Sequence, residues 1–444
     1  MVMDAQTMKP PRIVIVGAGF GGAYCAQALE KALKPQEAEL FLLDRRNYFA
    51  FTPLLVEAGT GSLQPRHAVI SIRSFLKRSR FLMAEVIGVS PERNEIRFHI
   101  PGDELVQSLA YDQLVLALGS VTRVPPIPGL AEHGFGMKSL SDAVRLRDRA
   151  IRLLEQADAL MDEALRRACL HFIVVGANFT GVEVAGEFLV YLQQASRRYP
   201  RVKLEECQVT LVEIGERVLP ALDADLSRYA QDQLAAQGVR ILLEQSVKEI
   251  RATEVVLRDD SILPSRTVIW CAGIAAPPAI WGSALPVDER GYLLCEPDTR
   301  VKGQDRIWAI GDCAVNVNAH GKSFPATAQH AVKEGEQLAR NLARSLRGKA
   351  TLPMNYRDRG NLVALGHHRG VAKVFGFKLS GFWAWFLWRT VYLAKMPGWV
   401  RRLRVTLDWS LDLLFPKDYV ELGWDARAHE PVRDQGTNSR FKSE

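Results

Sequence analysis

The chain has 444 residues, 48% hydrophobic and 24% charged, with a formal net charge of +7. This length allows about three domains, and the composition is typical of a globular protein with sizeable cores, not of a disordered or collagen-like chain. Six dispersed cysteines without a C-x-x-C pair argue against a disulfide framework or a zinc site, and no apolar run reaches the length of a membrane span.

The first predicted element is a βαβ unit. A β-branched strand, "RIVIVG", leads through the turn "GAGFGG" into a helix, and a second strand, "AELFLLD", ends at Asp44. Gly17 allows a tight turn, Gly19 lets the backbone approach a pyrophosphate, and Gly22 lets the helix pack on the strand. The acid at the end of the second strand is placed to bind a ribose. The pattern predicts a dinucleotide site, and the alternative is an α/β turn that binds no phosphate.

A second βαβ unit follows later in the chain. "HFIVVG" leads through "ANFTGVE" into a helix, and the next strand ends at Glu213. Gly176 and Gly181 match the fingerprint, but Asn178 stands at its second glycine. Asparagine tolerates left-handed backbone angles, so we expect the turn to form, with its side chain crowding the pyrophosphate. Glu213 favours NADH over NADPH, although Arg217 nearby leaves NADPH open. The alternative is a degenerate structural repeat.

Alternating strands and helices predict an α/β fold with parallel sheets. Each unit is closed by an apolar strand, ending at Gly119 or Gly273, and "AIGD" places Asp312 after a further strand. Two dinucleotide sites suggest FAD in one and a nicotinamide nucleotide in the other. We expect a Rossmann-like NAD domain inserted in a Rossmann-like FAD domain. The predicted parts are an FAD-binding domain (10–125 and 276–380), a connecting helical segment (126–168), an NAD(H)-binding domain (169–275), a membrane-interface region (381–425) and a disordered tail (426–444).

Longer motifs give the chain a specific resemblance. "VGAGFGG", "DRRNYFAFTPLL", "TGVEVAGE", "WAIGDCA", "TAQHAVKEGEQLARN" and "GFWAWFLWRTVYL" resemble the type II NADH:quinone oxidoreductases, within the two-dinucleotide-binding-domain flavoproteins. The resemblance implies non-proton-pumping transfer of a hydride from NADH to FAD and of two electrons to a membrane quinone, with no metal. It implies FAD contacts at Gly17, Ala18, Gly19, Phe20, Gly22, Asp44, Arg45, Gly119, Asp312, Ala328 and Gln329.

The same resemblance implies the remaining site residues. Glu183 and Gln329 are the expected catalytic residues. NADH contacts are expected at Gly176, Asn178, Thr180, Gly181, Glu183, Glu213 and Gly273, and quinone contacts at Ala328, Gln329, Lys333 and Trp388. Lys333 departs from the family, which usually has glutamine there, and a solvated lysine on an amphipathic helix is an equally open interpretation.

The C-terminal region is basic and aromatic. Between Asp358 and Asp408 there are nine Lys or Arg and no acid. Such a patch suits nucleic acid or an anionic membrane, and dense tryptophan favours a helix in the membrane interface. A stripe of apolar residues supports this, although a core or dimer helix would show it too: Val400, Leu403, Leu407, Leu411 and Leu414. We expect residues 381–415 to bind an anionic membrane surface, peripherally, on the cytoplasmic side of the inner membrane. No nucleic acid is expected, and a homodimer is left open.

Two other functions remain as alternatives. A sulfide:quinone oxidoreductase would need Cys169, Cys295 and Cys313 to converge. A non-catalytic NAD-sensing membrane adaptor would purify without flavin absorbance. A disulfide reductase is disfavoured, because "NYFAFTPLLVEAGTG" lacks the cysteine pair that this class needs after its first βαβ unit.

Overall fold

The computed structural model describes residues 9–356 and 360–423, so the predicted tail at 426–444 lies outside the described residues. The strands are β1 Arg12–Val16, β2 Glu39–Asp44, β3 Tyr48–Ala50, β4 Val69–Ser71, β5 Arg80–Met83, β6 Glu85–Ser90, β7 Glu95–His99, β8 Gln107–Ala110, β9 Gln113–Leu116, β10 Val121–Thr122, β11 Gly134–Phe135, β12 His171–Val175, β13 Gln208–Val212, β14 Arg240–Leu242, β15 Val247–Ile250, β16 Glu254–Leu257, β17 Ile262–Pro264, β18 Thr267–Trp270, β19 Ile274–Ala275, β20 Leu293–Leu294, β21 Ile307–Ala309, β22 Ala314–Val315, β23 Gly360–Gly366, β24 Arg369–Val374 and β25 Phe377–Gly381. The helices are α1 Phe20–Ala32, α2 Leu55–Gly59, α3 Ile72–Phe75, α4 Leu130–His133, α5 Leu140–Ala159, α6 Glu163–Leu170, α7 Phe179–Ser196, α8 Ala224–Gln237, α9 Ala328–Leu346, α10 Phe382–Lys395 and α11 Trp399–Leu414.

The first sheet is parallel, with strand order β21-β9-β1-β2-β5. Strand β1 is buried almost throughout, as expected for a parallel strand covered on both faces. Helices α1 and α9 pack closely together, and a Cβ at Gly335 would come within 2.5 Å of the Gly21 carbonyl oxygen. Strand β21 joins this sheet from beyond the second sheet, which is the connectivity that an inserted domain requires.

The second sheet is also parallel, with strand order β11-β18-β12-β13-β14. Its central strand β12 leads directly into the turn before α7, as β1 does before α1. The predicted connecting segment is more than helical, because β11 lies in this sheet and the segment holds the separate helices α5 and α6. Two parallel sheets with helices between their strands confirm the predicted fold class.

The C-terminal part adds a small antiparallel sheet, β23-β24-β25, and then α10 and α11. Strand β23 packs on α7 so closely that a Cβ at Gly186 would lie 2.3 Å from the Leu365 carbonyl oxygen. Trp385, Trp388 and Trp409 are buried in the main core. In the described part of the chain, no helix is both long enough and apolar enough to cross a bilayer.

Candidate functional site

The turn after β1 has the shape that a dinucleotide needs. Gly17 has φ +100°, and a Cβ there would lie 2.3 Å from the Ala117 carbonyl oxygen. A Cβ at Gly22 would lie 1.8 Å from the Gly17 carbonyl oxygen, so packing requires both glycines. At Gly19, by contrast, no atom lies within 4 Å of the Cβ position. The second glycine therefore opens space in front of the helix, where a pyrophosphate would approach.

Asp44 is tied to the same turn. Its carboxylate accepts hydrogen bonds from the backbone N–H of Ala18 at 2.7 Å and of Arg46 at 2.8 Å. Helix α1 has no side-chain cap, so the N–H groups of its first turn remain for a phosphate. The aligned carboxylate and the uncapped helix fit the FAD expected here.

The turn after β12 repeats the first. Gly176 has φ +99°, and a Cβ at Gly181 would lie 1.8 Å from the Gly176 carbonyl oxygen. Glu213 accepts from the backbone N–H of Ala177 at 2.6 Å and of Gly215 at 2.8 Å, as Asp44 does in the first turn. The second unit thus keeps the packing and the oriented acid of a dinucleotide turn.

Asn178 differs from our expectation. Its φ is −75°, and that of Gly19 is also −75°, so the position does not need a left-handed conformation and that part of the prediction was wrong. Its side chain caps α7: Oδ1 accepts from the Gly181 N–H at 3.1 Å, and Nδ2 donates to the Cys271 carbonyl at 2.6 Å. The asparagine therefore takes up an N–H group that the first turn leaves for phosphate.

Asp312 lies at the end of β21, in a network that includes residues missed from the sequence. Ser120, beside Gly119, donates to the Asp312 carboxylate at 3.0 Å and accepts from Lys138 Nζ at 2.6 Å. Glu334, only 3% exposed, accepts from the Gly311 N–H at 2.6 Å. Burial raises the pKa of Glu334 to about 7. Glu334 lies on the buried face of the amphipathic helix α9, and an acid at such a position could have been recognised in the sequence.

We expected Glu183 to contact NADH and Trp388 to contact the quinone, and these two side chains are hydrogen-bonded to each other. The Trp388 Nε1–H donates to Glu183 Oε1 at 3.2 Å, and the Ala364 N–H donates to the same oxygen at 3.3 Å. Burial raises the pKa of Glu183 to about 8, against the lowering effect of these two hydrogen bonds. Glu183 is therefore largely protonated at neutral pH, and the structure joins the expected NADH and quinone residues.

Glu57, also missed, is the acid in the apolar run "TPLLVEAG" and is 6% exposed. It accepts from the Trp409 indole N–H at 2.8 Å, and Arg389 lies 3.5 Å away. The Arg389 guanidinium sits 4.4 Å from the Trp385 ring centroid and 4.6 Å from that of Trp409. Burial raises the pKa of Glu57 to about 7, Arg389 lowers it, and Glu187 raises it further.

The other expected site residues lie at the start of α9 or in and beside the two turns. Ala328 and Gln329 begin α9, where Gln329 accepts from the Tyr356 hydroxyl at 3.3 Å. Lys333 is partly exposed and pairs with Glu336 along its own helix at 2.7 Å, which favours the solvated-lysine interpretation. The rest lie in or beside the two turns: Phe20 packs edge-on against Phe49, Arg45 is exposed beside Asp44, Thr180 is in the first turn of α7, and Gly273 (φ +83°) follows β18.

The cysteines do not form the arrangement that sulfide oxidation would need. Cys295 and Cys313 lie close together beside Glu334, whereas Cys169 lies in α6 beside Arg149 and Arg266. Burial raises the pKa of all three thiols. Across residues 9–356 and 360–423, no group of three or more His, Cys, Asp or Glu is placed to hold a metal.

Comparisons with known proteins agree with this geometry. The family model "Pyridine nucleotide-disulphide oxidoreductase" matches residues 11–335, and "NDH2 C-terminal domain" matches 359–418. The chain is 34% identical to demethylphylloquinone reductase NdbB of Synechocystis, over 91% of this chain and 96% of that one. It is 26% identical to type II NADH:quinone oxidoreductase NdhA of Mycobacterium tuberculosis, over 91% and 87%. The structure of NDH2 from Plasmodium falciparum in complex with NADH superposes with a TM-score of 0.86 at 21% identity, over 92% and 99%.

Proposed function

The chain belongs to the type II NADH:quinone oxidoreductases, within the pyridine nucleotide-disulphide oxidoreductase family, and from this premise we infer that it oxidises NADH and reduces a quinone by means of bound FAD. Family membership confirms the resemblance found in the motifs. The observation that carries the inference is the pair of equivalent dinucleotide turns, one ending at Asp44 and the other at Glu213. One chain with two such turns suits a flavin and a nicotinamide together.

In this reaction the residues of the chain bind and orient the two nucleotides and hold a proton. Bound FAD supplies hydride acceptance and two-electron transfer. We assign its diphosphate to the turn of Gly17 and Gly19, and the NADH diphosphate to the turn of Gly176 and Gly181. Glu183 Oε1 accepts two hydrogen bonds, so Oε2 is the oxygen left to carry a proton when the carboxyl group is neutral. The protonated carboxyl group is a proton donor beside the C-terminal helices.

The polarity of α11 supports attachment to a membrane surface. A helix on a soluble protein turns its apolar face inward, but α11 packs Asp408 and Asp412 against the protein together with the buried Val405 and Trp409, and it exposes a second apolar face. Asp408 accepts from His67 Nδ1–H at 2.5 Å and from the Gln64 N–H at 3.1 Å, and Asp412 lies near Lys417. The apolar stripe is exposed on the opposite side, at Val400, Leu403, Leu407, Leu411 and Leu414.

The structure changes the expected membrane contacts of the basic residues. The Arg389 side chain is only 12% exposed and pairs with Glu57, so it does not face lipid. Arg402 donates to the carbonyls of Ala394 and Met396 at the end of α10. We therefore assign membrane binding mainly to the apolar stripe, with Lys395 and Arg404 adding attraction to anionic lipid. The attachment that we propose is peripheral and on the cytoplasmic side.

Steady-state turnover tests the proposed activity. Purified, flavin-loaded protein is mixed with NADH, with and without a short-chain quinone, and sulfide replaces NADH in a parallel reaction. We expect NADH oxidation that depends on quinone, and no quinone reduction by sulfide. Sulfide-dependent turnover would establish the sulfide:quinone alternative. If the protein instead purifies colourless and neither takes up flavin nor turns over, the adaptor is established.

A further inference from the structure

The turn between β24 and β25 uses a residue that its geometry disfavours. Val374 pairs with Phe377, which leaves Phe375 and Gly376 as a two-residue loop. Their φ angles are +50° and +90°. A loop with both φ angles positive is a type I′ turn, for which Asn-Gly and Asp-Gly are strongly preferred. A bulky aromatic residue with positive φ is strained, and such strain tends to persist where function requires the side chain.

The aromatic side chains of this hairpin face solvent. Phe375 is 74% exposed and Phe377 is 77% exposed. Strand β25 runs directly into α10, whose first turns carry the exposed rings of Phe382, Trp383 and Phe386. The Phe382 ring centroid lies 5.6 Å from that of Trp383 and 6.3 Å from that of Phe386. The tip and the start of α10 thus expose large aromatic rings in two consecutive elements of the chain, and a soluble protein ordinarily covers such apolar groups.

The hairpin is fixed to the protein directly below its tip, at the Lys373–Lys378 pair next to the turn. Lys373 Nζ lies 2.9 Å from Asp223, and Lys378 Nζ lies 2.8 Å from both Asp223 and Asp225 at the start of α8. These ion pairs hold the two strands against the start of α8, and the side chains of Phe375 and Phe377 remain exposed beyond them. Asp223 and Asp225 neutralise the two hairpin lysines, and the other charged residues of 359–407 are all Lys or Arg, so the attraction to anionic lipid comes from those residues.

We propose that the β24–β25 hairpin tip, Phe375–Gly376–Phe377, is a membrane-insertion element that acts beside α10 and α11. The two phenylalanines enter the interface between headgroups and acyl chains, where aromatic rings are favoured. Burial of the rings in lipid offsets the strain at Phe375. The inference rests on the membrane attachment proposed above and extends it to a part of the chain outside the two helices.

The Phe375→Asn variant distinguishes membrane insertion by Phe375 from a role of Phe375 in stabilising the fold. Asparagine suits the left-handed position, so the full-length, flavin-loaded variant unfolds at a higher temperature without lipid. The same variant partitions about tenfold less into vesicles of phosphatidylcholine and phosphatidylglycerol, because a buried aromatic ring is lost. NADH oxidation with a small soluble acceptor stays unchanged. Phe375→Trp retains vesicle binding, and Met161→Asn, at a residue 82% exposed between α5 and α6, is the matched control.

Each other outcome overturns the proposal. Equal vesicle binding by the parent and Phe375→Asn means that the tip does not insert. A lower unfolding temperature means that Phe375 stabilises the fold. If the parent sediments as a dimer that Phe375→Asn dissociates, a second copy of the chain covers the surface instead of lipid. If the parent and Met161→Asn also fail to bind vesicles, the membrane attachment as a whole is wrong.

Discussion

The carboxylate of Glu213 is placed to select the nicotinamide nucleotide. Two backbone N–H groups hold it at the end of β13, where it would accept from a ribose 2′-hydroxyl and repel a 2′-phosphate. We expect kcat/KM to favour NADH over NADPH, and Glu213→Gln to reduce that preference by about tenfold, equivalent to about 1.4 kcal/mol. Glu216→Gln, at an exposed neighbour, should leave the preference unchanged. Equal kcat/KM values in the parent would contradict the role of Glu213.

The Asn178 side chain caps α7 and so occupies an N–H group that could otherwise bind phosphate. Asn178→Gly frees the Gly181 N–H and opens the space found at Gly19, so we expect NADH to bind at least as tightly. Loss of the cap should lower the free energy of unfolding by a few tenths of a kcal/mol, and Asn178→Ala should lower it by about 1 kcal/mol. Calorimetric titration and thermal unfolding measure the two effects. Tenfold weaker NADH binding by Asn178→Gly would show that the asparagine contacts the nucleotide.

The buried carboxyl group of Glu57 makes stability depend on pH. Its pKa rises from 4.5 in the unfolded chain to about 7 in the folded protein. The folded state then binds more protons, so this stabilising contribution is complete below pH 4.5 and is lost as pH rises through about 7. We expect the unfolding temperature to fall between about pH 5 and pH 8, and to fall less in Glu57→Gln. Exposed Glu104→Gln is the control, and parallel curves for Glu57→Gln and the parent would refute the assignment.

Among the elements, α11 exposes an apolar stripe although its Val405 and Trp409 are already buried in the main core. Leu403 and Leu407 lie on its exposed face, so replacing both with serine should leave the unfolding temperature unchanged. Vesicle binding should weaken at least about tenfold, because each buried leucine contributes up to about 1.5–3 kcal/mol. Leu105→Ser, at an exposed loop residue, is the control for a general effect of apolar loss. Unchanged sedimentation with vesicles would show that α11 does not contact lipid.

The two βαβ units were predictable because local rules determine them. Tight turns require Gly17 and Gly176, and an acid ends the following strand in each unit. The interior of the C-terminal helices was not predictable in the same way. Arg389 is stacked between two indole rings and paired with Glu57, a residue more than 300 positions earlier in the sequence. The periodicity of apolar residues distinguishes the faces of a helix, but it does not show which face packs against the protein.

Helix α10 is a second case in which the sequence did not show which residues are buried. Its dense tryptophan content suggested lipid contact, yet Trp385 and Trp388 are buried while Trp383 is exposed. Removal of residues 381–415 would therefore expose the Glu183 carboxyl group and open the main core. Substitutions on exposed faces, unlike truncation, test membrane contact without disturbing the fold.

At the scale of the whole molecule, the C-terminal helices pack against helices from two distant parts of the chain. Trp388 of α10 donates to Glu183 of α7, and Trp409 of α11 donates to Glu57 of α2. Two indole–carboxyl hydrogen bonds thus attach the C-terminal helices to α7 and α2.

The most direct test of the central claim is an anaerobic titration of the flavin-loaded protein followed by flavin absorbance. One equivalent of NADH should bleach the flavin, and one equivalent of a short-chain quinone should then restore the absorbance and yield quinol. This sequence would show both half-reactions on one flavin. A flavin that NADH does not bleach, or that stays bleached after quinone is added, would contradict the account.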